Sequence, residues 1–81
     1  MRIRGWQASP AARRHMLEKH NVEWYEVDEV MSANPRMLRG RDKDGERRYH
    51  VEGRTHAGRP LMVVFRFQSG TAQVITAFQR E

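Results

Sequence analysis

Three groups of residues carry charge or proton chemistry at a useful spacing. Arg48, His50, Glu52 and Arg54 recur at every second position, which places side chains on one face of a strand, and Arg66 lies on the next strand-like segment. Lys19 and His20 close a helical stretch, Arg41 precedes a turn signal and Lys43 lies within it. Arginine's planar fork matches phosphate oxygens, and imidazole titrates near neutral pH. Such a set suits phosphate chemistry in which the substrate brings its own nucleophile, as RNA does with its 2′-hydroxyl. Cleavage then requires that hydroxyl to be set in line with phosphorus, the pentacoordinate charge to be neutralised and the leaving 5′-oxygen to be protonated. Arginine and lysine suit the second task, and histidine the first or the third. Both main groups also have a structural explanation. Cations such as Lys19 and His20 are favoured at a helix C-terminus, and a polar stripe is the ordinary solvent face of an antiparallel sheet.

Other chemistries lack their residues. There is no cysteine, so neither a disulfide framework nor a thiolate nucleophile is available. His15 and His20 are five apart and miss the i, i+4 face of a helical zinc pair, while His50 and His56 fall on opposite sides of a turn, so no metal site is expected. No glycine-rich run precedes a lysine to cradle a nucleotide, and no cofactor is expected. Ser9, Ser32 and Ser69 stand in cap or turn contexts, and Trp6 and Trp24 in core contexts.

Charge favours a polyanionic partner. Lysine and arginine number 15 against 10 aspartate and glutamate, for a net charge of +5 and a pI near 10.7. All the basic residues but Lys19 and Lys43 are arginine, and the acidic ones concentrate in Glu23, Glu26, Asp28 and Glu29. A nucleic acid, or an acidic protein, is the expected partner class. With 81 residues the chain is expected to form one domain, residues 1–81, with a thin core. The longest apolar run, residues 61–65, is far short of the ~20 a membrane helix needs, and residues 1–6 lack the apolar stretch of a secretory signal. A soluble cytoplasmic protein is expected.

The elements that must position these residues follow from periodicity. Ser9-Pro10 is an N-cap followed by a proline that forfeits no helical bond, and a helix is predicted from there to His20, with Asn21 as its left-handed end. A second helix is predicted over 23–31, with Trp24, Val27, Val30 and Met31 on one face and Asn34-Pro35 beyond it. The short link predicts that the two helices stack as a hairpin. The period then becomes two. Strands are predicted over 37–39, 47–54, 61–68 and 71–78, with turns at 42–45, 56–60 and Ser69-Gly70. The expected fold is α+β: two N-terminal helices on one face of a roughly four-stranded antiparallel meander. Tyr49, Val51, Leu61, Val63, Phe65 and Phe67 would then face the helices, and the arginine and histidine stripe would lie on the bare side.

Several short motifs together resemble the BrnT toxins. They are a tryptophan near the start, Glu18-Lys19-His20-Asn21-Val22, the acidic second helix, Gly45-Glu46-Arg47-Arg48-Tyr49, Val51-Glu52-Gly53-Arg54, Leu61-Met62-Val63-Val64-Phe65 and Val74-Ile75-Thr76-Ala77. BrnT proteins belong to the RelE/ParE-like superfamily of type II toxin–antitoxin systems. The resemblance implies a compact α+β fold, metal-independent ribonuclease activity that blocks translation, and a cognate ribbon-helix-helix antitoxin. On that reading Arg48 and Arg66 stabilise charge, His20 transfers the proton with Lys19 as electrostatic helper, and Arg54 and His50 hold the RNA backbone, with Arg41 and Lys43 at the edge. Phe78 stands where the family ends its last strand with arginine, and Gln73 where arginine is common. That ending, with Ala33-Asn34-Pro35, is also similar to a related uncharacterised domain family of the superfamily. The alternative is a non-catalytic module of the same fold acting on a protein or nucleic-acid partner.

Overall fold

A computed structural model describes residues 3–38, 40, 42, 43 and 45–80, the side chain of Lys43 excepted. The elements in chain order are β1 (Gly5–Gln7), α1 (Pro10–His20), α2 (Trp24–Ser32), β2 (Arg36–Leu38), β3 (Asp42–Lys43), β4 (Glu46–Arg47), β5 (Tyr49–Arg54), β6 (Pro60–Gln68) and β7 (Thr71–Gln79).

Both helices form where capping chemistry places them. The Ser9 hydroxyl accepts from the Ala12 N–H at 3.1 Å to start α1. Asn21 ends it at φ 53°, ψ 41°, donating to the Leu17 carbonyl, while the Val22 N–H reaches Met16 at 3.1 Å. In α2 the Glu26 carboxylate turns back to accept from the Glu23 N–H at 3.0 Å.

The sheet departs from the expected meander. It has five strands in the order β1-β7-β6-β5-β2, and β1 runs parallel to β7, with Trp6 opposite Ala72. A separate two-stranded ribbon, β3-β4, replaces a simple turn between β2 and β5. β1 escapes periodicity because three residues show no alternation that could be counted. The hairpin between β6 and β7 turns on Ser69 and Gly70, both at positive φ as a two-residue turn requires.

One core joins Met16, Val22, Val27, Val30 and Met31 to Val51, Leu61, Val63, Phe65, Ala72, Val74 and Ala77. The predicted inward face of β5 and β6 is thereby observed. The helices do not stack as a hairpin. α2 packs on β5 and β6, whereas α1 lies beside β7. β1 pairs with β7 only from Thr71 to Gln73, and α1 packs against the same strand. There Ile75 has no partner on β6, because the register steps from Phe65–Val74 to Val64–Thr76. The helices meet near their junction, where the Arg13 guanidinium lies 4.5 Å over the Trp24 ring.

Candidate nucleic-acid interface

The middle of the sheet face opposite the core has three cross-strand rows. The first holds Arg66 and Gln73, with Arg48 one register step beyond the Tyr49–Phe65 pair and so beside Arg66. The second is Leu38, His50, Val64 and Thr76, and the third is Arg36, Glu52, Met62 and Phe78. On this face Val64 is buried, and Arg48, His50, Met62 and Phe78 are half-buried.

Arg48 and Arg66 come together as predicted, and a carboxylate joins them. Glu46 sends Oε2 to Arg66 Nη1 at 3.2 Å and Oε1 to Arg48 Nη2 at 3.8 Å. The ribbon presents Glu46 to this spot while its neighbour Arg47 turns the other way to pair with Asp42 at 2.9 Å. That hydrogen bond and the Asp42 charge raise the pKa of the exposed Arg47 above its ordinary value. Arg48, Arg66 and Glu46 share a hollow of about 250 Å³ with Ser9 and Ala12 at the start of α1. A Cβ at Gly40 would run into the Arg48 carbonyl, so glycine there lets the preceding chain press against the Arg48 backbone. Arg48 Nε and Thr76 Oγ1 lie buried with no hydrogen-bond partner among the described residues. Unmade bonds of this kind cost about 1–3 kcal/mol each unless water reaches them.

His50 follows Arg48 by two residues on the same face, within about 7 Å along the strand. His20 and Lys19 are not brought to the arginine pair. The His20 ring sits 5.8 Å from Phe78 and 5.4 Å from His15, beside the third row. Arg66 is four β6 residues from Met62, the register partner of Phe78, which is about 13 Å of strand. Lys19 is exposed in the last turn of α1. Arg54 is partly engaged, donating to the Gly58 carbonyl at 2.8 Å across the turn. Lys43 lies on β3 of the ribbon, and Arg41 lies outside the described residues.

The Brucella abortus ribonuclease toxin BrnT, known from a crystal structure at 1.1 Å resolution, aligns with this chain at a TM-score of 0.68. The alignment covers 95% of this chain and 96% of that one, at 14% sequence identity. The chain folds like BrnT. It matches no protein-family model and no curated protein. Nearly the whole length of both chains is thus matched.

Sequence reasoning missed Glu46, Arg36, Arg80 and Arg59. Glu46 carried a signal, since it precedes Arg48 by two, the same alternation that marked the stripe. Arg36 and Arg80 flank Glu52, and only the strand register brings them there. Among the described residues no group of three or more His, Cys, Asp or Glu side chains converges as metal ligands do. No described helix is long and apolar enough to cross a membrane.

Proposed function

We propose that this protein is a RelE/ParE-like ribonuclease toxin of the cytoplasm, which cleaves RNA without a metal through the 2′-hydroxyl and is held in check by a ribbon-helix-helix antitoxin. The observation that carries this reading is the Arg48–Arg66 pair on a fold like that of BrnT. Two guanidiniums converging on one point can neutralise the charge that develops on a pentacoordinate phosphate. Glu46 holds both forks in position, at Arg48 Nη2 and Arg66 Nη1. His50, on the same face and next to Arg48, replaces His20 as the group that transfers the proton. Lys19, His20 and Arg54 attract the RNA backbone from farther along the face, with Arg41 and Lys43 at its edge.

The test is incubation of the purified protein with RNA in EDTA. Fragments ending in 2′,3′-cyclic phosphate support the reading, because only attack by the 2′-hydroxyl leaves them. RNA that stays intact but bound favours the second reading, a non-catalytic module of this fold. That reading has Glu46 in its favour, since a carboxylate already sits against both guanidiniums.

A further inference from the structure

The open face carries a second arginine cluster. Arg36, Arg54 and Arg80 border a groove of about 420 Å³ at the end of the sheet where β5 and β7 finish, and Glu52 stands within it. Arg36 faces Glu52 across the β2–β5 pairing, with Nη1 3.5 Å from its carboxylate. The Arg80 N–H donates to the Pro60 carbonyl at 2.9 Å, which carries the β7 pattern past its end and brings the Arg80 side chain against Glu52. The Glu52 side chain is 17% exposed, whereas those of Arg36 and Arg80 are 76% and 48% exposed. One recessed carboxylate thus anchors two guanidiniums whose outer edges are open, and Arg54 adds a third positive charge.

This second cluster repeats the plan of the first, two arginines on one glutamate, and lies in line with it. Four residues of β5 separate Arg48 from Glu52, about 13 Å along the strand. Between them, among the described residues, the row is His50, Val64 and Thr76, none of them a carboxylate. The two clusters therefore define one straight cationic track parallel to the strands.

We propose that a single RNA strand is held along this track, with one phosphate at Arg48 and Arg66 and another, a few nucleotides away, at Arg36 and Arg80. The proposal rests on the ribonuclease reading for its choice of RNA. A single line of cations fits one backbone, and the half-buried Met62 and Phe78 beside the second cluster give unpaired bases an apolar surface.

The experiment measures binding separately from cleavage. Fluorescein-labelled 2′-O-methyl oligouridylates, which have no free attacking hydroxyl, are titrated by anisotropy over a range of salt. A dinucleotide and an octanucleotide are compared. The wild-type protein is expected to bind the octanucleotide more tightly than Arg36→Gln/Arg80→Gln, with a salt slope steeper by about 0.7, the value for one phosphate contact on a single strand. The dinucleotide cannot reach both clusters, so the two proteins should bind it alike. Glu52→Gln removes the competing carboxylate and should tighten the octanucleotide alone. If the double variant fails to fold, Glu52→Gln decides. Equal losses at both lengths, unchanged slopes, or no RNA binding at all would overturn the proposal. A length effect without any cleavage of unmethylated RNA would sink the ribonuclease reading and keep the track, while cleavage with no length effect would do the reverse.

Discussion

The Arg59 guanidinium reaches from the turn before β6 to Glu26 in the first turn of α2, where Nη1 donates to both carboxylate oxygens at 3.0 and 3.1 Å. The same guanidinium donates to the last carbonyls of α1, His20 at 3.2 Å and Asn21 at 2.8 Å, and to the Gln79 side chain at 2.8 Å. One side chain thus joins both helices, the β5–β6 turn and the end of β7. Glu26 is only 9% exposed and also caps its own helix, so its charge is tolerated because Arg59 answers it.

Arg59→Ala should therefore be the most destabilising surface-to-Ala change in the chain. Breaking a buried pair costs about 3–5 kcal/mol, and the partial exposure of Arg59 places this one at about 3. Urea denaturation followed by circular dichroism measures it. A loss below about 1 kcal/mol would show that Glu26 finds water instead.

The two ends of α1 make a second, smaller prediction. Ser9→Ala removes the hydroxyl that accepts from Ala12 and should cost about 1 kcal/mol. Asn21 holds a left-handed backbone at φ 53°, so Asn21→Gly should be neutral or stabilising, whereas Asn21→Val should cost about 1–2 kcal/mol. Thermal melts of the three variants should rank them in that sense.

Those caps are also where the sequence was most legible. Ser9-Pro10 and Asn21 act through atoms within a few residues, and so do the Ser69-Gly70 turn and the alternation of β5 and β6. The inward set Val51, Leu61, Val63 and Phe65 follows from period two alone. What escaped depends on distant partners. β1 exists because Gly5–Gln7 finds the outer edge of β7, some sixty residues later, and α1 packs on that distant strand rather than stacking on α2. The candidate site divides along the same line. Arg48 and Arg66 are joined by a strand register that the turn at 56–60 makes predictable. The place of His20 depends on where the end of α1 docks, which Phe78 and Arg59 decide, and no local pattern encodes that.

A third prediction concerns packing under the track. A Cβ at Gly53 would meet Val30 Cγ1 at 3.0 Å and Pro35 Cβ at 3.4 Å, so glycine lets α2 and the chain before β2 close onto β5. Gly53→Ala should cost about 1–3 kcal/mol through forced repacking. Val30→Ala in the same chain should recover part of that loss, although Val30→Ala alone destabilises. A denaturant-based double-mutant cycle reads the coupling, and strict additivity would show that the two groups do not collide.

The last prediction separates the two histidines. On the open face His50 follows Arg48 by two residues, whereas His20 sits beside Phe78 about 13 Å of strand away. A proton-transfer group must lie within hydrogen-bond reach of the reacting oxygen, and loss of one typically slows the reaction by about 10²–10⁴-fold. In a ribonuclease assay, His50→Ala should show a loss of that size in kcat, whereas His20→Ala should alter RNA affinity with little change in kcat. Arg48→Ala should abolish both cleavage and growth arrest while its thermal melt stays cooperative, since Glu46 keeps Arg66 as a partner. A folded Arg48→Ala protein that still arrests growth would remove Arg48 from the chemistry. A dead His20→Ala beside an active His50→Ala would move the reaction to the far end of α1, where Phe78 rather than an arginine would face the phosphate.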